Sequence, residues 1–156
     1  MIILVMGVSG CGKTTIGEKL AKKLRCGFID ADDFHSPENR AKMAAGVALT
    51  DQDRTPWLQR LRQELVSRQG DHVIACSALK TAYRKILAPD RIIFLKGSAA
   101  LLARRLSGRA GHFFNPHLLE SQLAILEEPA DALVFSISQP PDLIVAEALK
   151  ELGHGA

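Results

Sequence analysis

Short, wholly apolar runs alternate along the chain with longer segments in which apolar residues recur every three or four positions. Runs of the first kind are typical of strands buried in a parallel sheet, and the spacing of the second kind is typical of helices that cover such a sheet. The pattern predicts five strands, at residues 2–5, 28–30, 73–76, 91–95 and 132–136.

Capping residues and helix breakers predict where the helices begin and end. The first helix starts at Thr14 and ends before Gly27, because glycine commonly follows a helix C-terminus. A Ser-Pro pair at 36–37 opens a second helix, which Gly46 closes, and a Thr-Pro pair at 55–56 gives the same start signal for a third. Further helices are predicted at residues 80–87, 99–106, 118–126 and 141–152.

Strands that alternate with helices in this way predict an α/β fold. We expect a three-layer sandwich, with a five-stranded parallel sheet between two helical layers, in a single domain over residues 1–156. Ligands of such folds bind beyond the carboxyl ends of the strands. The polar residues that follow each predicted strand are therefore the candidates for function.

Composition and charge exclude several other classes of protein. The chain has 47% hydrophobic and 24% charged residues, which is typical of a globular domain and excludes a disordered chain, a collagen or a coiled coil. Its net charge of +3 is small and scattered, so we expect no nucleic-acid partner. No apolar run reaches the roughly 20 residues of a membrane span, and we expect no membrane association.

The cysteines and the start of the chain bear on location. Three cysteines without a Cys-x-x-Cys pair make a disulfide framework improbable and fit a reducing cytosol. The apolar start at residues 1–6 has no basic leader, so no signal peptide is expected. Zinc is not expected either, because His and Cys show no ligand spacing. These features predict a cytoplasmic protein.

A glycine-rich segment follows the first predicted strand. Residues 7–14 read Gly-Val-Ser-Gly-Cys-Gly-Lys-Thr and fit the pattern G-x-x-x-x-G-K-[ST] in full, between a strand and a helix. Backbone N–H groups of such a loop surround phosphates, Lys13 reaches the β- and γ-phosphates, and the Thr14 hydroxyl holds Mg²⁺. The predicted nucleotide-binding residues are Gly7, Val8, Ser9, Gly10, Cys11, Gly12, Lys13, Thr14 and Thr15.

Acidic residues follow the second predicted strand, as Asp-Ala-Asp-Asp-Phe-His over 30–35, whereas no Asn-Lys-x-Asp motif of guanine-specific switch proteins occurs. Asp30 and Asp32 point to the same side unless the chain turns between them. One would support Mg²⁺ and the other would accept the proton of an acceptor hydroxyl, with their order left open. The alternative is that Asp32 and Asp33 only cap the next segment.

These motifs and others resemble the gluconate kinases, which are P-loop kinases related to shikimate kinase. The resemblance runs from about residue 7 to 129 in the order of that family, through the blocks at 7–14, 30–39, 42–46, 49–58, 76–84, 111–114, 118–122 and 126–129. Ala31 is a departure, since glycine is usual there, and it puts the backbone shape of the acidic turn in question.

The resemblance implies a P-loop kinase with a mobile lid at about 107–117, acting as a homodimer. It would phosphorylate D-gluconate with ATP and Mg²⁺ at the terminal hydroxyl, giving 6-phospho-D-gluconate. Thr14 and Asp30 are the metal candidates. The catalytic candidates are Lys13, Asp32, Arg105 and Arg109. The substrate candidates are Asp32, His35, Arg54, Ser77, Lys80, Arg84, His112 and Gln122.

One question about the substrate stays open, since either Arg54 or Arg84 could bind the carboxylate with its planar fork.

Arg105 and Arg109 could stabilise the transferring phosphate, or form only a solvated basic face. Two alternative functions are a kinase of another small hydroxy acid such as shikimate, and a nucleotide-binding module without catalysis.

Overall fold

A computed structural model describes residues 1–108 and 116–153 of the chain. Its core is a five-stranded sheet in the order β2-β3-β1-β4-β5, in which every neighbouring pair is parallel. The strands are β1 Ile2–Met6, β2 Gly27–Asp30, β3 His72–Ala75, β4 Arg91–Lys96 and β5 Leu133–Ser136. The five predicted strands and their parallel arrangement are confirmed, with boundaries that differ by at most one residue.

Seven α-helices connect or follow the strands within the described ranges. They are α1 Lys13–Leu24, α2 Pro37–Ala44, α3 Asp51–Ser67, α4 Thr81–Leu87, α5 Ala99–Ser107, α6 Pro116–Ile125 and α7 Pro141–Glu151, and a 3₁₀ turn at Ala31–Phe34 follows β2. Among these helices none combines the length and the apolar character needed to cross a lipid bilayer. Residues 109–115 of the predicted lid lie outside the described part of the chain.

Alternate residues of the central strand β1 supply the two faces of the sheet. Ile3 and Val5 pack into an apolar cluster with buried residues of α1 and α7, whereas Leu4 and Met6 pack with buried residues of α3 and α4. All four side chains are at most 3% exposed. The sheet is therefore covered on both faces, as the near-continuous apolar runs predicted, and the three-layer α/β sandwich is confirmed.

Two predicted helix boundaries were wrong. Helix α1 ends at Leu24 because Arg25 adopts a left-handed conformation (φ 55°), and Gly27 instead begins β2. Helix α3 begins at Asp51, four residues before the Thr-Pro pair. Its N-cap Thr50 forms a capping box with Asp53, in which each side chain accepts a hydrogen bond from the backbone N–H of the other. This reciprocal pair satisfies two free donors and starts the helix earlier.

Candidate active site

The phosphate loop connects β1 to α1 at the carboxyl edge of the sheet. Gly10 and Gly12 have positive φ angles of 86° and 93°, which residues with a side chain rarely adopt. A Cβ atom on Gly10 would also lie 2.9 Å from Leu106 of α5. Lys13 opens α1, and its Nζ donates a hydrogen bond of 3.1 Å to the carbonyl of Val8 across the loop. The loop thus folds around its own lysine at the positive end of a helix.

A cavity of about 350 Å³ lies over this loop. Eight residues line it, and each belongs to at least one of the predicted nucleotide-binding, metal and catalytic sets: Ser9, Gly10, Gly12, Lys13, Thr14, Thr15, Asp32 and Arg105. Val8 and Cys11 are buried beneath the loop at 3% and 2% exposure, so only their backbone could contact a phosphate. We call this space the phosphate cavity.

Asp30 and Asp32 occupy different positions because the chain turns between them. Asp30 is the N-cap of the 3₁₀ turn, and its Oδ1 accepts a hydrogen bond of 3.0 Å from the Asp32 N–H. Its Oδ2 accepts one of 2.9 Å from the Thr14 hydroxyl. The Asp32 side chain is 79% exposed and lines the phosphate cavity. The prediction that both point to one side of a continuing strand therefore does not apply.

Ala31 adopts the turn without a glycine conformation. The φ angle of Ala31 is not positive, so no glycine is needed at this position. Its side chain is fully buried, and its carbonyl accepts a hydrogen bond of 2.8 Å from Trp57 Nε1. The departure from the family pattern therefore leaves the acidic turn intact.

A second cavity, of about 250 Å³, opens beside the phosphate cavity and is called the acceptor cleft here. It brings together five of the predicted substrate residues, which are Asp32, His35, Arg54, Ser77 and Gln122. Ser9, Lys13 and Asp32 line both spaces. The two cavities are therefore continuous at the lysine and the aspartate.

His35 and Trp57 form one wall of the acceptor cleft. Their rings stack with centroids 4.0 Å apart, and His35 Nε2 lies 3.7 Å from Asp32 Oδ1. Burial lowers the pKa of His35, and the neighbouring Asp32 only partly opposes this. The ring is therefore neutral near pH 7. Trp57 was not predicted as a site residue, although it is the single tryptophan and lies within a block that resembles the family.

The two arginines proposed for carboxylate binding lie in different surroundings. Arg54 lines the acceptor cleft, and its Nη1 donates hydrogen bonds to Leu49 O at 2.7 Å and to the Tyr83 hydroxyl at 3.2 Å. Arg84 is 7% exposed and donates to Ala78 O at 2.7 Å, Glu127 O at 2.8 Å and the Thr81 hydroxyl at 3.2 Å. Arg84 lines neither cavity, so the structure does not bring it to the cleft. Its guanidinium instead joins the start of α4 to Glu127, which follows α6.

Lys80 also lies outside the acceptor cleft. It lines an adjoining cavity of about 200 Å³. That cavity shares Ala48, Leu49, Arg54 and Ser121 with the cleft. Lys80 Nζ bonds to both carboxylate oxygens of Asp51 at 3.0 and 3.3 Å. This ion pair keeps the pKa of Lys80 above its usual value. Lys80 is therefore a neighbour of the cleft and not one of its walls.

Gln122 and Arg105 connect helices to the phosphate cavity. The Gln122 amide accepts from the Ser9 N–H at 2.7 Å and donates to the Ser9 hydroxyl at 3.0 Å, which ties α6 to the phosphate loop. Arg105 of α5 lines the phosphate cavity and donates to the carbonyl of Ile137. Arg109 and His112, the remaining predicted site residues, lie outside the described residues.

These features together define a P-loop kinase. They are the glycine-rich loop with its lysine, the hydroxyl–carboxylate pair, and the acceptor cleft that continues from the phosphate cavity at the edge of a parallel sheet. The sequence pattern of the shikimate kinase family matches residues 9–151. A probable gluconokinase of Dictyostelium discoideum is 45% identical, with 97% of this chain and 86% of that protein covered. The chain belongs to the shikimate kinase family of P-loop kinases and, within it, to the gluconokinases.

Solved structures have the same fold. The crystal structure of a gluconokinase from Sinorhizobium meliloti 1021 superposes with a TM-score of 0.88 at 43% identity, covering 97% of this chain and 90% of that one. A shikimate kinase from Bacteroides thetaiotaomicron shares the fold, with a TM-score of 0.71, but only 17% of its residues, over 98% of both chains.

Proposed function

We propose that this kinase transfers the γ-phosphoryl group of ATP to the terminal hydroxyl of D-gluconate, giving ADP and 6-phospho-D-gluconate. One observation carries the proposal: the phosphate cavity and the acceptor cleft share Ser9, Lys13 and Asp32. A hydroxyl in the cleft can therefore lie next to a phosphate over the loop. The 43–45% identity to gluconokinases indicates which acceptor to expect.

The phosphate cavity and the adjoining Asp30 carboxylate offer groups that suit a nucleotide bound with Mg²⁺. The Thr14 hydroxyl and the Asp30 carboxylate, 2.9 Å apart, are hard oxygen donors of the kind that Mg²⁺ prefers. Mg²⁺ usually takes only one or two protein ligands and completes its shell with phosphates and water, so no larger cluster of ligands is required. When bound, it would neutralise charge on the phosphate oxygens. Lys13 would leave the Val8 carbonyl and pair with the same phosphates.

Asp32 is suited to the acceptor hydroxyl. Its carboxylate lies at the border of the two cavities, and no lysine or arginine forms an ion pair with it within residues 1–108 and 116–153. A carboxylate there can align the attacking hydroxyl and take its proton as the new P–O bond forms. The neutral His35 beside it would limit the conformations that Asp32 can adopt.

The rest of the acceptor cleft supplies groups that match a polyol acid. Ser77 and Gln122 can exchange hydrogen bonds with hydroxyls, and Arg54 offers a fork for the carboxylate. Trp57 adds an apolar face along the carbon chain. Arg105 lies where it could stabilise the transferring phosphate. Five further expectations stay predictions: the same role for Arg109, the substrate role of His112, the lid, the homodimer and the cytoplasmic location.

The proposal is tested by measuring ADP formation from ATP and Mg²⁺ with gluconate, shikimate, glucose or no acceptor. We expect stimulation by gluconate alone, and phosphorus NMR of the product should show a phosphate monoester at the terminal carbon. A Lys13→Met variant controls for contaminating kinases. Stimulation by shikimate alone would indicate the alternative acceptor. Nucleotide binding without stimulation by any acceptor would contradict the proposal and favour a binding module.

A further inference from the structure

Arg54 belongs to a hydrogen-bonded cluster whose other members have no role in the reaction as proposed above. The Tyr83 hydroxyl donates a hydrogen bond to the Asp51 carboxylate and accepts one of 3.2 Å from Arg54 Nη1. Lys80 Nζ bonds to both oxygens of Asp51 on the other side, at 3.0 and 3.3 Å. The hydrogen-bonded groups therefore follow one another in the order arginine, phenol, carboxylate and ammonium, beginning with the arginine that lines the acceptor cleft.

The cluster holds Arg54 by one nitrogen only. Nη1 has two hydrogens, and both are used, on Leu49 O and the Tyr83 hydroxyl. Nε and Nη2 donate to no acceptor in the part of the chain that the structure describes, while the side chain lines the acceptor cleft. Arg84 shows the opposite arrangement, since both of its terminal nitrogens bond to protein oxygens. Arg54 therefore keeps a free edge for a ligand.

Charge in the cluster is arranged so that Arg54 is not neutralised. Asp51 is paired with Lys80, and Tyr83 places an uncharged hydroxyl between that pair and the arginine. Hydrogen bonds from Tyr83 and Lys80 lower the pKa of Asp51, so it stays ionised. Burial and Asp51 raise the pKa of Tyr83, so its hydroxyl stays protonated and continues to donate. The two groups that Arg54 itself contacts, a carbonyl and a phenol, carry no charge.

We propose that Tyr83, held by Asp51 and Lys80, is a positioning residue that aims the free edge of Arg54 at the carboxylate of the acceptor. This inference rests on the proposed function and adds to it the basis for selecting an acid over an uncharged polyol. An arginine fixed in advance loses less conformational freedom when it forms its two bonds to a carboxylate. Tyr83 would thereby contribute to acceptor affinity without touching the acceptor.

The decisive variant is Tyr83→Phe, which removes the hydroxyl and keeps the ring over which Arg54 lies, 5.4 Å from its centroid. We expect KM for gluconate to rise about tenfold, the size of effect that loss of one hydrogen bond to a charged group produces. The kcat and KM for ATP should stay within about twofold of wild type. The preference for gluconate over D-glucitol, in which CH₂OH replaces the carboxylate, should fall by the same factor as the affinity for gluconate.

A double-mutant cycle tests whether Tyr83 acts through Arg54. In an Arg54→Met background, Tyr83→Phe should change kcat/KM for gluconate by less than about twofold, because the residue being positioned is absent. Asp51→Asn should raise KM less than Tyr83→Phe does, since an amide oxygen still accepts from the phenol. Glu64→Gln is its matched control, a carboxylate-to-amide change on the same helix, where Glu64 pairs with Arg68. It should leave KM unchanged.

The outcomes separate this inference from the function on which it rests. An active wild type whose KM for gluconate is unchanged by Tyr83→Phe would overturn the positioning role alone. Equal losses in kcat and in affinity for ATP, with a lowered Tm, would also overturn it, because they indicate a structural role. Additive effects in the cycle would do the same. A wild type that ignores gluconate would overturn the proposed function and this inference together.

Discussion

The phosphate cavity and the acceptor cleft meet at Lys13 and Asp32 but are built in different ways. Six of the eight residues around the phosphate cavity come from residues 9–15 of a single loop and helix start. The acceptor cleft collects its walls from separate elements: Met43 on α2, Arg54 and Trp57 on α3, Ser77 after β3, and Gln122 on α6.

The two cavities therefore offer different groups to a ligand: the phosphate cavity offers mainly backbone groups, and the acceptor cleft offers side chains. The phosphate loop presents N–H groups and a helix end, which depend on glycines at a few positions and little on the rest of the chain. The acceptor cleft depends on side chains that packing alone brings together. Changes at the phosphate end should therefore remove turnover with any acceptor, whereas changes deep in the cleft should alter which acceptor is used.

The largest effect is expected for Lys13→Met, which removes the charge that the phosphate loop surrounds. We expect kcat to fall on the order of 10³-fold or more, because loss of a cation at the transferring phosphate has effects of that size. Steady-state ADP release at saturating gluconate measures it. Lys23→Met, on the exposed side of the same helix, is the matched control and should retain wild-type rates. Comparable losses in both variants would show that the effect is structural.

Asp32→Asn tests the border between the two regions and should have the next largest effect. We expect kcat to fall about 10²-fold, because the amide cannot take the proton of the attacking hydroxyl. Affinity for ATP, measured by calorimetry, should be unchanged, since the proposed metal pair of Thr14 and Asp30 does not include Asp32. Asp33→Asn is the neighbouring exposed control. A near-normal rate in Asp32→Asn would exclude the role as base.

The phosphate cavity was largely predictable from the sequence because most of its residues are close together in the chain. The loop pattern, the strand before it and the helix after it predict Lys13 and Thr14 in place, and the structure places them there. The proposed metal pair was also predictable, since Asp30 ends the next strand in the chain. What was missed is the turn after Asp30, because a side chain that caps its own 3₁₀ turn leaves no periodic signal.

The acceptor cleft was less predictable because the sequence does not show which of two arginines keeps an edge of its guanidinium free for a ligand. Arg54 and Arg84 are equivalent as sequence candidates, and only the packing of Glu127 and Ala78 around Arg84 separates them. The Thr-Pro signal also misplaced the start of α3, which carries Arg54. Trp57 and Tyr83 were not assigned roles for the same reason, since an aromatic residue at helical spacing is usually a core residue.

The two arginines should differ in stability as well as in activity. Arg84→Met leaves the carbonyls of Ala78 and Glu127 without their donor in a buried site, and we expect a loss of about 2–3 kcal/mol in the free energy of unfolding. Arg54→Met should lose less than about 1 kcal/mol but raise KM for gluconate strongly. Urea denaturation and initial rates on both variants measure this. A stable Arg84 variant with a raised KM would reverse the assignment.

The smallest effect is expected for His35, as a pH dependence of stability. Burial lowers its pKa below the usual 6.5, so the unfolded chain takes up a proton at a pH at which the folded chain does not. The free energy of unfolding should therefore decrease as pH falls through 6.5 towards the lower folded pKa, by at most about 1.4 kcal/mol per pH unit for one proton. Urea denaturation of wild type and His35→Gln at several pH values isolates this contribution, since the glutamine variant should show the shallower dependence. Parallel curves for the two proteins would contradict this prediction, because they would show that folding does not lower the pKa of His35.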